Sequence, residues 1–147
     1  MAGLKLYVAC SLTGATDEEL AEVYRFKAVL REAGYQVLDY FGGKGRTVEY
    51  EPCQIYDADI VEGVGGCDLL VAVMKGLSDG RGMEIGAALW RTPKPIVMVY
   101  INGDYFSSLL RDAANREPLI ELFPCERTYD EVVARLPDLY AKIRSRA

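Results

Sequence analysis

Hydrophobic residues along the chain fall into two patterns, short continuous runs and longer stretches in which they recur every three or four positions. Five runs have the length and composition of buried strands, and they cover residues 5–10, 35–40, 69–74, 96–100 and 119–123. The stretches between them have the periodicity of amphipathic helices. Because strands and helices alternate, the pattern predicts an α/β fold with a parallel sheet of about five strands and helices on both faces, flavodoxin-like or Rossmann-like.

Capping residues mark where some of these helices begin. Thr16 and Thr128 each stand three residues before a glutamate, which is the capping-box pattern of a helix N-terminus. Pro137 is expected to bend the last helix or to split it in two. Further helices are predicted over residues 55–64 and through residues 109–110.

The stretch 77–86 follows the third predicted strand and carries glycines at positions 80 and 82. We expect these glycines to form a tight turn that lets the backbone approach a ligand, followed by a helix over residues 83–90 with Glu84 in its first turn. Ligands of parallel α/β sheets bind beyond the carboxyl ends of the strands, so this turn lies where a site is expected. An acid here can be simple capping, but Glu84 stands among small and apolar neighbours, which capping does not explain.

Length and charge limit what the chain can be. Its 147 residues are most simply one domain, spanning residues 1–147. The formal charge of −5 and the lack of a Lys/Arg cluster argue against nucleic acid as a partner, while a pocket for a single nucleotide stays compatible with that charge. No apolar run approaches the ~20 residues of a membrane helix, and the first residues lack the layout of a signal peptide. We therefore expect a cytoplasmic protein with no membrane partner.

Histidine is absent from the chain, and this narrows the possible chemistry. A Ser-His-Asp or Cys-His mechanism is excluded, so acid–base steps must use Asp, Glu, Tyr, Lys or Cys. The four cysteines are widely spaced, which is more typical of small apolar core residues than of a zinc site. The glycines of a dinucleotide-binding motif follow the first strand, whereas Gly80 and Gly82 follow the third, so a dinucleotide site is not expected here. We expect neither a metal nor a cofactor.

The segment 41–52 is the one long loop expected in the fold, and it carries Lys44 and Arg46 among glycines. Long loops in compact domains are often binding loops, but a solvated loop explains the same composition. Its role stays open at the level of sequence.

Four stretches together resemble the nucleoside 2-deoxyribosyltransferase family and its relative, the 2′-deoxynucleoside 5′-phosphate N-hydrolase. Residues 5–8 followed by Ser11 are similar to the family's first strand, and 56–60 to a helical segment with an active-site aspartate. Residues 79–86 are similar to the signature around the catalytic glutamate, and 94–97 to the strand after it. The stretches occur in the family's order and span most of the chain.

The resemblance implies a covalent mechanism. Glu84 attacks C1′ of a 2-deoxyribosyl group and expels the base, and a second base or water then attacks C1′ with net retention, as in retaining glycosidases. Asp59 best matches the aspartate that protonates or orients the leaving base, with Asp57 and Glu62 as nearby rivals. Tyr7 matches the tyrosine that holds the nucleophile. Two carboxyl groups without a histidine fit this scheme, because one acid of such a pair can stay protonated near neutral pH.

The resemblance also implies substrate contacts and shared sites. Ser78 and Ser107 match serines with which the hydrolase contacts a 5′-phosphate, and Ser107 matches the one that reaches a neighbouring subunit's phosphate. A homodimer or higher homo-oligomer is therefore expected, with segment 102–117 completing a neighbour's site. The other residues expected to bind substrate are Ser11, Asp79, Gly80, Gly82 and Met83.

Two substrate classes stay open. One is an unphosphorylated deoxynucleoside with a second nucleobase as acceptor, and the other is a deoxynucleoside 5′-monophosphate with water as acceptor. The serines favour a phosphate, but Thr13 stands where the hydrolase has an arginine, and Asp79 and Asp104 place acids in the loops around that position. We therefore expect transfer of 2-deoxyribose between nucleobases. A non-catalytic nucleotide-binding domain on the same fold is a third interpretation.

Overall fold

Alternating strands and helices build one five-stranded sheet in the computed structural model, which describes residues 3–12, 14–39 and 51–147. All neighbouring strands are parallel, in the order β2-β1-β3-β4-β5, which is the flavodoxin-like order. The predicted α/β fold with about five parallel strands is confirmed. The strands are β1 Lys5–Ala9, β2 Gln36–Leu38, β3 Leu69–Val73, β4 Ile96–Ile101 and β5 Ile120–Cys125.

Helices follow each strand in the described part of the chain. Two of them widen into π-helical turns before they end, and a 3-10 segment precedes the last one. None of the described helices is both long and apolar enough to cross a membrane. The helices are α1 Asp17–Glu32, α2 Pro52–Tyr56 with its π-helical part Asp57–Val64, α3 Asp79–Gly86 with its π-helical part Ala87–Arg91, α4 Ser108–Arg116, the 3-10 segment Tyr129–Arg135 and α5 Leu136–Arg146.

Both faces of the sheet are covered, because side chains alternate between the two faces along each strand. On the first face, Leu6 and Val8 pack with α1, the 3-10 segment and α5. On the second face, Tyr7 and Ala9 pack with residues of α2, α3 and α4. The central strand β3 is consequently buried along its whole length, as strands of parallel sheets usually are.

The chain changes direction between β1 and β3. From β1 it passes outward to β2, and from β2 it crosses back to β3, so the two connections lie on opposite faces of the sheet. Parallel α/β sheets open a crevice at such a switch point, beyond the carboxyl ends of the two strands. A ligand site is therefore expected at the ends of β1 and β3.

Most predicted boundaries agree with the structure to within a few residues. Thr16 and Thr128 both form their capping boxes. Pro137 splits the last helix, because it lies in the first turn of α5 directly after the 3-10 segment. The predictions for Thr13 and for residues 40–50 lie outside the described residues.

The predicted start of the helix that carries Glu84 is wrong. This helix begins at Asp79 and not at Met83. Ser78 caps it, because its hydroxyl accepts a hydrogen bond of 3.2 Å from the N–H of Arg81. A capping serine satisfies one of the free N–H groups of the first turn, and this outweighs the low helix propensity of the glycines that follow.

The tight turn also lies earlier than expected. Gly76 has a φ of +65°, in the left-handed region that favours glycine. Gly80 and Gly82 lie inside α3 and do not form the turn. Glu84 consequently lies in the second turn of α3, beyond the reach of a simple capping role at the helix N-terminus.

Candidate active site

Tyr7, Asp59 and Glu84 meet where the second face of the sheet contacts two helices. The hydroxyl oxygen of Tyr7 lies 2.9 Å from Asp59 Oδ1 and 2.8 Å from Glu84 Oε1. Tyr7 belongs to β1, Asp59 to the π-helical part of α2, and Glu84 to α3. The structure thus brings together the three residues for which the resemblance implies catalytic roles.

One hydroxyl proton serves two carboxyl groups in this cluster. A tyrosine hydroxyl can donate one hydrogen bond, and both contacts have hydrogen-bond length. If Asp59 and Glu84 were both ionised, one of them would lack this donor and the two charges would repel each other. A single proton on one carboxyl group completes the network, because that acid donates to the Tyr7 oxygen while the Tyr7 hydroxyl donates to the other. The geometry therefore favours two carboxyl groups that hold one proton between them.

Glu84 is held at one oxygen and free at the other. Its side chain is buried, with 7% of the residue exposed. Oε1 accepts from Tyr7, while Oε2 is buried and has no hydrogen-bond partner among the described residues. Burial, followed by the charge of Asp59, raises the pKa of Glu84 to about 8, against the smaller effect of the Tyr7 hydrogen bond. An unpaired carboxyl oxygen in a buried site is a candidate nucleophile.

Asp59 is only partly buried, and its environment also favours the protonated form. Burial raises the pKa of Asp59, and the hydrogen bond from Tyr7 lowers it. Burial and the two neighbouring carboxyl groups raise the pKa of Tyr7, so its hydroxyl stays protonated. The rival acids Asp57 and Glu62 are exposed on the same helix. Asp59 is therefore the acid of this helix that the structure brings into contact with Tyr7.

Gly63 lets α2 lie directly against the ring of Tyr7. A Cβ atom at position 63 would stand 2.5 Å from Cε2 and 2.8 Å from Cδ2 of that ring. Asp59 lies about one turn before Gly63 in the π-helical part of α2, so the close packing at Gly63 brings Asp59 within reach of the Tyr7 hydroxyl. Gly63 is not among the residues predicted from sequence, although a glycine inside a helical pattern is a signal of close packing.

Arg81 ties the start of α3 to the end of β3. It is 1% exposed, and its guanidinium donates to the carbonyl oxygens of Val73 at 2.9 Å, Lys75 at 3.1 Å and Gly76 at 2.6 Å. Because Arg81 lies one turn before Glu84, these bonds fix the part of α3 that presents Glu84. Arg81 lies within the stretch 79–86, but nothing in the sequence predicts this role for it.

A buried ion pair lies on the other side of β1. Lys27 of α1 is buried, and its ammonium lies 3.3 Å from Asp39, which follows β2. The charge of Lys27 lowers the pKa values of both Asp59 and Glu84. Arg81, which is also buried, lowers the pKa of Glu84 as well. The acidic centre of the cluster is thus moderated by the charges of two buried cations, Lys27 and Arg81.

The remaining predicted residues do not contact this cluster through hydrogen bonds among the described residues. Ser78 is the N-cap of α3, Asp79 is exposed in its first turn, and Met83 is 61% exposed. Ser107 precedes α4, and its side chain makes no capping bond. Ser11 lines a separate cavity at the ends of β1 and β3.

Gly80 and Gly82 face open space. A Cβ atom built on either glycine would meet nothing within 4 Å among the described residues. This leaves room for a ligand above the first turns of α3, although the backbone there is helical and not the tight turn expected from sequence. Within the described ranges, no group of three or more Cys, Asp or Glu side chains could hold a metal ion.

Sheet order and site together define an α/β protein of flavodoxin-like topology with two carboxyl groups bridged by a tyrosine hydroxyl. Among solved structures, the CMP N-glycosidase BcmB of Clostridium botulinum is similar to this chain, with a TM-score of 0.65 and 20% identity over 92% of this chain and 98% of that one. A conserved protein from Enterococcus faecalis V583 is similar with a TM-score of 0.56 and 20% identity, over 99% and 100% of the two chains. At 20% sequence identity, these similarities are evidence for the fold of this chain alone. No protein-family model matches the chain, and no curated protein matches it in sequence.

Proposed function

We propose that the protein is an N-glycosyl transfer enzyme of the nucleoside 2-deoxyribosyltransferase type. It would cleave the N-glycosidic bond of a 2′-deoxyribonucleoside through a deoxyribosyl-Glu84 intermediate and pass the sugar to another nucleobase. The observation that carries the proposal is Glu84 itself, with Oε1 held by Tyr7 and Oε2 buried without a partner. An enzyme acting in this way needs a positioned carboxylate with one oxygen free for attack.

The proton between the two carboxyl groups sets the starting state. Both carboxyl groups lie within hydrogen-bond distance of the Tyr7 hydroxyl, which can donate to only one of them at a time. In the starting state that we infer, Glu84 carries the shared proton and donates to the Tyr7 oxygen, and the Tyr7 hydroxyl donates to Asp59. Shifting both protons along these two bonds leaves Glu84 as the carboxylate and Asp59 as the acid. Tyr7 then donates to Glu84 and keeps it in place for the reaction.

In the first half of the reaction, Glu84 Oε2 attacks C1′ and forms a C–O bond. The C1′–N bond breaks, its electron pair stays on the leaving base, and Asp59 donates a proton to that base. In the second half, a nitrogen of the incoming base attacks C1′, and Asp59 takes up the proton that this nitrogen carried. The bond between C1′ and Glu84 breaks, and Glu84 leaves as a carboxylate. Two displacements at C1′ give net retention.

Hydrolysis of a nucleoside 5′-monophosphate is the second candidate. The similarity of the fold to a CMP N-glycosidase favours it, because that protein's name gives a nucleotide as substrate. The chemistry at Glu84 is the same, with water in place of the second base.

An exchange assay tests the proposal. The protein is incubated with a deoxynucleoside and a different free base, and the exchanged nucleoside is measured by chromatography beside free sugar and free base. Glu84→Gln should abolish turnover, while the exposed control Glu126→Gln should not. Acid quench followed by mass spectrometry should find the deoxyribosyl group on the peptide that contains Glu84. Free sugar and base without exchange would favour hydrolysis, and no turnover of nucleosides or monophosphates would leave only a binding protein.

A second copy of the chain is proposed to complete the site. α4 has no buried residue, and Leu109 on it is 77% exposed, so this helix presents a large apolar side chain to solvent two residues beyond Ser107. Sedimentation of the active protein at assay concentration measures the oligomer directly. A fully active monomer would contradict this part of the proposal.

A further inference from the structure

A cavity of about 180 Å³ lies at the carboxyl ends of β1 and β3. Val23 and Val73 on its wall belong to the core of the first face, whereas Tyr7 of the candidate active site packs on the second face. As far as the described residues form it, the wall includes none of Tyr7, Asp59 and Glu84. The cavity is smaller than the roughly 300–1,000 Å³ of pockets that hold drug-sized ligands. It is therefore separate from the candidate active site and of a size that suits a small molecule.

Tyr129 brings a buried hydroxyl group to this cavity. The residue lines the cavity and is 1% exposed, and its hydroxyl has no hydrogen-bond partner among the described residues. Buried hydroxyl groups are ordinarily paired, so this one indicates a partner inside the cavity. Burial, followed by the charge of Glu22, raises the pKa of Tyr129. The hydroxyl therefore stays neutral, and its oxygen can accept a hydrogen bond.

The charges that act most strongly on this hydroxyl are negative. Glu22, Asp104 and Glu19, in decreasing order, disfavour the ionised form of Tyr129. On the cavity wall, Lys75 lies 3.7 Å from Glu19 and matches its charge. Glu22 lines the same wall and has no ion-pair partner among the described residues. Asp104 Oδ2 is buried and likewise lacks a hydrogen-bond partner in the described part of the chain. The surroundings of Tyr129 thus carry unmatched negative charge.

This charge selects among the possible kinds of ligand. An anion would meet the carboxylate of Glu22, and the cation nearest in effect to Tyr129 besides Lys75 is Arg81, whose guanidinium already donates to three carbonyl oxygens. A metal ion lacks its ligands, because no group of three or more Cys, Asp or Glu side chains within the described ranges could hold one. A primary ammonium carries one positive charge and three donors, which suits a carboxylate beside a hydroxyl oxygen. The apolar residues of the wall suit a short alkyl chain on the same ligand, and they are Ala15, Val23, Val73 and Leu77.

We propose that this cavity is a second ligand site, separate from the Glu84 cluster, and that it binds a small organic molecule with a primary ammonium group. The ammonium donates to the carboxylate of Glu22 and to the hydroxyl oxygen of Tyr129. The alkyl part of the ligand packs against Val23 and Val73. Because Glu84 has no part in this binding, the inference does not depend on the proposed function.

Three probes of similar size and different charge test the inference. The probes n-butylammonium, 1-butanol and butyrate are titrated into nitrogen-15-labelled protein, and the dissociation constants are measured from the amide signals. The titrations are carried out at about 0.15 M ionic strength, where attraction between exposed charges is largely screened. The ammonium should bind about tenfold more tightly than the alcohol or better, because hydrogen bonds to charged groups are the stronger ones. Butyrate should not bind, and the shifted signals should belong to residues of the cavity wall.

Variants show whether the ammonium uses the two polar groups of the cavity. Glu22→Gln should weaken its binding about tenfold, and Tyr129→Phe should weaken it about three- to tenfold. Thermal melting shows that each variant is folded. Glu32→Gln removes the same charge from an exposed position at the far end of α1 and should leave the dissociation constant unchanged.

Several results would overturn the inference. One is equal binding of the alcohol or of butyrate, and another is an unchanged dissociation constant in Glu22→Gln. If no probe binds, the Tyr129 hydroxyl is paired with water only and the cavity is not a site for ammonium compounds. Glu84→Gln should bind the ammonium as the wild type does, and a loss of binding there would place the probe at the candidate active site. Absence of turnover in the exchange assay would count against the proposed function alone.

Discussion

Replacing Tyr7 by phenylalanine removes the hydroxyl that joins the two carboxyl groups and keeps the ring that packs against Gly63. A hydrogen bond to a charged group contributes about 1.5–3 kcal/mol. If Tyr7 stabilises the ionised Glu84 by this amount, its loss should lower kcat roughly 10- to 150-fold, since each 1.36 kcal/mol is a factor of ten. The fold should survive, because Phe occupies the same space in the core.

The same substitution should change the pH dependence of the reaction. The reaction needs the one proton that the two carboxyl groups share, because Asp59 must protonate the leaving base. The rate should therefore fall as pH rises through the Glu84 pKa of about 8, where that proton is lost. The Tyr7 hydrogen bond lowers this pKa, so Tyr7→Phe should raise it. An interaction of about 1.5–3 kcal/mol corresponds to about one to two pKa units, and this alkaline limb of the pH profile should move to higher pH by that amount.

The assay is kcat and kcat/KM between pH 5 and 10 for the wild type, Tyr7→Phe and a control, Tyr140→Phe. Tyr140 lies on α5 beside the first face of the sheet and away from the cluster. Thermal melting shows whether each variant is folded. A Tyr7→Phe enzyme with kcat within twofold of wild type and an unchanged alkaline limb would refute the role given to this hydroxyl.

Three further predictions follow from the site. Gly63→Ala should push the Tyr7 ring aside and lower kcat at least tenfold. The control Gly65→Ala should leave kcat unchanged, because its Cβ would meet its nearest atom at an ordinary 3.6 Å. Steady-state kinetics checks both variants. Arg81→Met leaves three carbonyl groups without their donor, at a cost of about 1–3 kcal/mol for each buried group. This variant should therefore have a lower Tm and a lower kcat, and Arg81→Lys should recover part of both. Glu84 has a pKa of about 8 when folded and near 4.5 when unfolded, so the folded state binds the extra proton between these values. The free energy of unfolding should therefore fall as pH rises across this window, by up to about 1.4 kcal/mol per pH unit, and denaturant titrations of Glu84→Gln should lack this slope.

The fold was predictable because its signals are local. Continuous apolar runs mark strands buried on both sides, and alternation with helices then requires parallel pairing. Thr16 and Thr128 cap their helices through residues three positions away, so the pattern contains both partners of each motif. The helix start at Asp79 was missed because glycines at 80 and 82 read as a turn, whereas the cap from Ser78 and the bonds of Arg81 decide the local structure.

The site was predictable only in part. The small and apolar neighbours of Glu84 pointed to this residue, whereas resemblance alone supplied Tyr7, Asp59 and the role of each residue. These catalytic roles stay predictions although the three side chains meet. Gly63 was missed because its partner, the ring of Tyr7, is distant in sequence. Arg81 was missed because its partners are backbone carbonyl groups. A buried arginine that binds carbonyl groups of β3 has the same local sequence as an exposed one.

The three residues at the Tyr7 hydroxyl come from places 52 and 77 positions apart along the chain. Contacts of such long range form only after two crossover connections have closed, and loop closure of this kind slows folding. A refolding chain should consequently regain helical circular dichroism well before it regains the shared proton of Asp59 and Glu84. Partly folded chains would carry two ordinary, ionised carboxylates in water. The pair that shares a proton therefore forms only when folding has brought the three residues together.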